Sequence, residues 1–245
     1  MSNGIKVKKR NGRGTEALDL EKMHKMVEDA TQGLAGVSAS QVEIQSGIQF
    51  YDGITTAEIQ EILIKSASDL IDLDHPNYQF VAARLLLFSI RKSLYGRSRE
   101  LPQLEDHIVK CVSQEVYDGD IYSKYSKEDI EKANGYIDHN RDFLFTYAGL
   151  RQVVDKYLVQ DRSTGQVYET PQFMYMMIAL TIFAEYPKET RLNYVKRYYD
   201  AISKHKINIP TPIMAGVRTP IRQFASCVLV DADDTLDSIF SSDMA

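Results

Sequence analysis

The sequence has 245 residues, with 29 Lys+Arg against 34 Asp+Glu, a formal net charge of −5 and a pI near 5.6, a length that suits one large domain or two modest ones. Its 44% apolar, 10% aromatic and 26% charged residues belong to a globular chain and exclude a disordered or fibrous one. No stretch approaches the ~18 consecutive apolar residues of a membrane span, and the start MSNGIKVKKRNG lacks the apolar core of a signal peptide, so we expect a soluble, cytoplasmic protein without a membrane partner.

The charge is unevenly placed. After Cys227 come Asp231, Asp233, Asp234, Asp237 and Asp243 and no basic residue, so residues 1–226 carry 29 charges of each sign. Near the start, Lys6, Lys8, Lys9, Arg10, Arg13, Lys22 and Lys25 outnumber Glu16, Asp19 and Glu21. This pattern suits a small anionic ligand rather than a nucleic acid, which would need a basic stripe.

In chain order, Ile5 to Lys8 alternates apolar and polar, Asn11-Gly12-Arg13-Gly14 is turn chemistry, and Thr15 to Leu18 can return as a second short strand. Asp19 then caps a helix with Leu20, Met23, Met26, Val27, Ala30 and Leu34 at helical spacing, ended by Gly33 and Gly36. Ser40 with Glu43 and Thr55 with Glu58 read as capping boxes opening two further helices, and a fourth runs from about Asn77 to Tyr95. Residues 97–120, with Pro102 and Asp118-Gly119-Asp120, read as a linker or domain boundary.

Beyond it, Ser126 caps a helix, and Asp161-Arg162-Ser163-Thr164-Gly165 joins strands at Tyr157–Gln160 and Gln166–Glu169. Thr170-Pro171 opens a helix ending at Tyr186-Pro187, and Glu189 to Lys204 forms another. The proline-rich run from Ile209 to Pro220 predicts a rigid loop with little helix or strand, and Gln223 to Val230 is an apolar run of strand length containing Cys227.

Several residues suggest chemistry. Lys9, Arg10 and Lys22 flank a hairpin that leads into a helix N-terminus, whose unpaired amides and dipole favour phosphate, although basic residues on a hairpin are ordinarily solvated surface. Thr56 and Lys92 join them if their helices converge there. Cys111, in Ile108-Val109-Lys110-Cys111-Val112, reads as packing; Cys227 beside Ser226 is either a buried small residue or a reactive thiol. Two cysteines and five scattered histidines give neither a disulfide framework nor metal-ligand spacing, so no metal is expected in this chain.

The segments Thr211-Pro212-Ile213-Met214, Gly216-Val217-Arg218-Thr219-Pro220 and Arg222 to Val228 resemble the first barrel strand and its preceding loop in the large, catalytic subunit of class I ribonucleotide reductase. Phe50-Tyr51-Asp52-Gly53-Ile54 and Tyr78 to Arg84 resemble the ATP-cone that precedes that barrel. The resemblance implies a mainly α fold with short β elements. An ATP-cone of a β-hairpin and four helices spans 5–96; a helical segment and the first strand of a ten-stranded α/β barrel, incomplete, span 97–245.

Site by site, the resemblance implies that Lys9, the segment Glu16-Ala17-Leu18-Asp19-Leu20-Glu21-Lys22, Thr56 and Lys92 hold a regulatory ATP or dATP. The cations would serve the triphosphate, and Glu16 and Asp19 the adenine amino group. Thr211 and Ser226 match positions that hold the ribonucleoside diphosphate. Cys227 matches one of two thiols that close to a disulfide while the 2′ hydroxyl leaves as water, with a partner thiol outside this chain. Asp234, Thr235 and Leu236 match the start of the site where a deoxynucleoside triphosphate sets substrate choice.

Two departures stand out. Glu58 and Gln60 occupy positions where the family often has Asp and His, so nucleotide binding is expected to persist with weakened dATP inhibition. The chain also stops eighteen residues after Cys227, without the radical cysteine, the second redox cysteine or the C-terminal thiols re-reduced by thioredoxin or glutaredoxin. The expectation is a fragment that works only with the C-terminal part of the large subunit and a radical-generating small subunit, which would carry the radical cofactor. The drifting last residues favour a naturally divided subunit over a cut piece. The competing readings are a non-catalytic ATP/dATP-sensing module and a helical interaction protein.

Overall fold

In the computed structural model, residues 5–9, 14–47, 49–96, 100–227 and 229–244 are described. Strands β1 (Lys6–Lys8) and β2 (Thr15–Ala17) pair antiparallel with Val7 opposite Glu16. Alternation buries Val7 and leaves Lys6 and Lys8 outside. The predicted turn at Asn11-Gly12-Arg13, with Arg10, lies outside the described residues.

The free edge of β1 is covered by the Phe50–Ile54 loop, which meets the amides that an edge strand would leave open. Lys8 N donates to Ile54 O at 2.9 Å, Gly53 N to Lys6 O at 2.8 Å, and Lys6 N to Asp52 Oδ1 at 2.7 Å. Gly53 takes φ +84°, where a Cβ is strained, so glycine suits this turn against the hairpin.

Four helices follow: α1 (Leu20–Thr31), α2 (Ala39–Gly47), α3 (Thr56–Asp69) and α4 (Tyr78–Tyr95). Asp19 caps α1 by accepting from Lys22 N, and Thr55 with Glu58 forms the expected capping box on α3. The box at Ser40 does not form. Helix α2 already begins at Ala39, so Ser40 lies inside it, and Glu43 instead meets His24 Nδ1 of α1 at 2.8 Å.

Helix α4 is buried on several faces, and its polar residues serve its neighbours. Arg84 Nη1 donates to Ala30 O and Gln32 O, satisfying carbonyls at the end of α1. Gly96, at φ +74°, closes α4 in a left-handed cap.

The predicted linker contains a helix, α5 (Leu104–Ser113). Leu104, His107, Ile108 and Cys111 recur at i, i+3, i+4 and i+7 and are buried, a stripe that its charged neighbours obscure in the sequence. Then come α6 (Ile121–Lys124), α7 (Lys127–Asn134) with the expected Ser126 cap, a 3₁₀ turn at His139–Leu144, and α8 (Tyr147–Gln152). A π-helical turn, Val153–Tyr157, leads to the short hairpin β3 (Gln160–Asp161) and β4 (Gln166–Val167).

Helix α9 (Pro171–Ile182) is buried from Pro171 to Leu180 and packs on α10 (Lys188–Ser203). It stops before the predicted Tyr186, which lies in a turn, and Thr170 holds the cap position without a side-chain bond. The proline-rich run is not all loop: Thr211–Gly216 is a short helix, α11, because Pro212 sits in its first turn, where no amide is needed.

Residues 221–227 and 229–235 form no ladder with any described residue, and Phe224 and Leu229 are exposed. They precede α12 (Leu236–Met244). Among the described residues, no helix is long and apolar enough to cross a membrane.

A buried polar network joins α4 to the second half. Arg91 Nη2 donates to Asp142 Oδ2 at 2.8 Å and to His139 O at 3.0 Å. Gln172 Nε2 donates to Asp142 Oδ1, and Tyr199 OH to Gln172 Oε1, so α4, the 3₁₀ turn and α9 meet at one carboxylate and α10 joins them through Gln172. Burial raises the Asp142 carboxyl above its ordinary range, with Arg91 and Gln172 pulling it back. Arg91→Met strands the buried carboxylate and is expected to cost about 3–5 kcal/mol in urea unfolding. Adding Asp142→Leu should recover most of that loss; no recovery would mean that packing, not the charge, dominates.

Candidate nucleotide groove and thiol segment

Side chains from β2, α1, α3 and α4 converge on one groove. A cavity of about 150 Å³ is lined by Glu16, Ala17, Leu18, Asp19, Lys22, Thr56 and Lys92, with Val7, Ile59 and Gln60 behind them. The structure therefore brings together seven of the sequence-predicted residues. Lys9 reaches the edge by pairing with Glu16 at 2.8 Å. Leu20 and Glu21 are exposed and outside the lining, because the first turn of α1 rotates them away.

Charges at this end are already organised. Lys22 Nζ lies 3.0 Å from Asp19 Oδ2, and Lys22 N donates to Asp19 Oδ1 at 3.0 Å. The backbone bond from Lys22 lowers the Asp19 carboxyl, and the Lys9 side chain lowers that of Glu16. Both acids are held as acceptors.

A second, larger cavity of about 670 Å³ shares Lys22, Met26, Gln60 and Lys92 with the first and adds Lys25, Gln32, Arg84, Phe88 and Phe143. Sequence reasoning missed this extension. The available signal was Arg84, Phe88 and Lys92 at i, i+4 and i+8, one face of α4. Phe143 comes from the 3₁₀ turn and carries no local signal. Of the two departures, Glu58 is committed to Thr55 and to Tyr51 OH, while Gln60 is buried and donates to Leu85 O at 3.4 Å.

The predicted thiol segment is arranged differently. Thr211 is half-buried at the start of α11, with Tyr157 OH 3.4 Å from its Oγ1. Ser226 and Cys227 are exposed, and the Cys227 thiol lies 3.9 Å from the Ser226 hydroxyl. No described hydrogen bond joins either to Thr211. Asp234 and Leu236 are exposed, and Thr235 Oγ1 accepts from Ser238 N at 3.2 Å as the cap of α12.

Cys111 is buried beside His107, at 3.7 Å from Nε2, and burial pushes its thiol up to about 12 and the His107 ring down to about 3. Both are held neutral, which fits packing.

A fully buried ion pair, Arg218 with Glu169, was not anticipated. Burial acts to lower the Arg218 guanidinium, and the Glu169 charge outweighs it. Glu169 also accepts from Val159 N at 2.7 Å and from Tyr117 OH at 2.5 Å. Among the described residues no His/Cys/Asp/Glu group is placed to hold a metal ion.

Comparison with known proteins agrees with this organisation. Residues 5–93 match the ATP cone domain, and residues 143–222 match the all-alpha domain of ribonucleotide reductase, together more than half of the chain. Over 245 residues the chain is 51% identical to ribonucleoside-diphosphate reductase 1 subunit alpha of Escherichia coli K12, covering 100% of this chain and 32% of that protein. It is 52% identical over 239 residues to the subunit alpha of Haemophilus influenzae (98% of this chain, 31% of that one). Against the subunit alpha of Enterobacteria phage T4 it is 45% identical over 227 residues (92% and 29%). The chain belongs to the ribonucleoside-diphosphate reductase alpha-subunit family. It spans about a third of the length of these relatives.

The capping box at the start of α3 predicts an acid response. Hydrogen bonds from the Thr55 backbone and side chain and from Tyr51 lower the Glu58 carboxyl. That cap is therefore fully present above the ordinary carboxylate pKa of about 4.3 and is lost as pH falls through the lower folded value. Amide protection at the start of α3 should decline between about pH 5 and 3. Glu58→Gln, which keeps the box geometry, should decline less; an equal decline would place the response elsewhere.

Proposed function

We propose that this chain supplies the effector-sensing cone and the first redox thiol of a ribonucleoside-diphosphate reductase large subunit. The observation that carries the reading is the convergence of β2, α1, α3 and α4 on one groove ringed by Lys22, Lys25, Arg84 and Lys92. Lys22 in the first turn of α1, with Lys92 from the last turn of α4, suits a triphosphate, and Glu16 and Asp19 suit the adenine amino group. ATP or dATP is the effector, held by Lys9, Glu16 to Asp19, Lys22, Thr56 and Lys92.

In the completed enzyme Thr211 and Ser226 contact the ribonucleoside diphosphate. Cys227 donates to the departing 2′ hydroxyl and then pairs with a thiol from the remainder of the large subunit, so that two thiols give two electrons and become a disulfide. Asp234, Thr235 and Leu236 begin the site for the deoxynucleoside triphosphate that sets substrate choice. The partners are the rest of the large subunit, a radical-generating small subunit, and thioredoxin or glutaredoxin, in the cytoplasm. The exposed Phe224, Leu229 and Phe240 support a covering partner chain.

The test has two arms. ATP binding to this chain, followed by calorimetry, should weaken about 10-fold or more in Lys92→Ala, as expected for a charge-assisted hydrogen bond. Reduction of a ribonucleoside diphosphate by this chain with the rest of the subunit and the small subunit should vanish in Cys227→Ser. ATP binding without any reductase rescue would favour a sensing module instead.

We further propose that Glu58 and Gln60 leave nucleotide binding intact and weaken dATP inhibition. Both side chains are tied into the cone, to Thr55 and Tyr51 and to Leu85. Activity of the completed enzyme should persist as dATP rises past saturation of the cone, and strong shut-off would refute this.

A further inference from the structure

We infer that Tyr157 and Arg218 are positioning residues for Thr211, fixing the hydroxyl and the helix that present it to the diphosphate substrate. The inference rests on the reading of Thr211 as a substrate contact.

Thr211 opens a helix of only six residues, α11, too short to hold its own place. Arg218 follows directly and is fully buried. Its Nη1 donates to Met214 O at 2.5 Å, inside α11, and its Nη2 to Tyr157 O at 2.9 Å. Its Nε donates to Glu169 Oε2 at 2.9 Å, and Asp118 N donates to the Arg218 carbonyl at 3.0 Å. One guanidinium therefore ties α11 to the π-helical turn and to the residue that leads into α9. Lysine, with a single nitrogen, cannot reach these separate acceptors in the same way.

Tyr157 completes the clamp from the other side. A π-helical turn leaves backbone carbonyls without their usual helical donors. Here each receives a side-chain donor: Gln160 Nε2 serves Val154 O and Asp155 O, Arg162 serves Asp155 O and Lys156 O, and Arg218 serves Tyr157 O. The turn is thereby locked, and the Tyr157 ring stands between two cavities of about 510 and 450 Å³ that flank α11. Its hydroxyl lies 3.4 Å from Thr211 Oγ1, which has no other hydrogen-bond partner among the described residues. This contact selects one rotamer of Thr211 and occupies one of the hydroxyl's bonding positions, leaving the others for a substrate oxygen.

The experiment uses the completed enzyme, formed from this chain, the rest of the large subunit and the small subunit. Steady-state kinetics with a ribonucleoside diphosphate are compared for wild type, Tyr157→Phe, Thr211→Ala and the double variant. Tyr157→Phe keeps the ring and its packing, so the unfolding midpoint of the chain should stay unchanged.

We expect KM to rise about 3- to 10-fold with kcat retained, the size of one hydrogen bond. The double variant should match Thr211→Ala, because both act through the same hydroxyl. Arg218→Lys should raise KM as well, if it folds. A KM effect of Thr211→Ala without one in Tyr157→Phe, or additive effects, would overturn the inference and leave the substrate role of Thr211 standing. No KM effect of Thr211→Ala, or no activity in the wild-type assembly, would remove that role and the inference with it.

Discussion

The buried pair of Arg91 and Asp142 holds the two halves of this chain in one frame. A carboxylate and a guanidinium removed from water demand hydrogen-bond partners, and here Asp142 finds them on α4 and α9 while Arg91 Nη2 finds them on the 3₁₀ turn. Helix α4 cannot shift relative to the 3₁₀ turn or α9 without stranding a charge. Because α4 also carries Arg84, Phe88 and Lys92 into the groove, and Phe143 belongs to the same 3₁₀ turn, the groove proposed for the nucleotide is built on this joint. The effector proposed for it would bear on the element that anchors the second half.

A second buried pair, Glu169 with Arg218, does comparable service near the thiol segment. The two pairs differ in what they immobilise. Arg91 fixes long helices, while Arg218 fixes a turn and a six-residue helix that would not persist alone. Beyond Arg218 the described residues as far as Thr235 carry exposed apolar side chains and form no ladder, and α12 follows them.

Much of the cone was legible because its signals are local. Asp19, Thr55 and Ser126 cap helices as their spacing indicates, and Val7 is buried as period-two alternation requires. Where signals failed, a partner outside the local window had won. Glu43 is taken by His24 rather than by a capping box, and α5 is hidden because its buried face includes His107 and is interleaved with Glu105, Asp106 and Lys110. The proline run misled in the other direction, since Pro212 falls in the one part of a helix that tolerates it.

By itself the sequence determined the hairpin, most helix starts and the placing of acid after Cys227, since caps and alternation act over a few positions; the grouping of Glu16 to Lys22 with Thr56 and Lys92 rests on the family resemblance. Only the tertiary structure decided that Arg84, Phe88 and Phe143 extend that groove, that Leu20 and Glu21 turn away from it, that Tyr157 meets Thr211, and that Arg218 holds Tyr157 and Met214 by their carbonyls. These arrangements bring together residues far apart in the chain, 61 positions in the case of Tyr157 and Arg218. Buried charge and the shape of the packed core select such partners, and neither is written in local spacing.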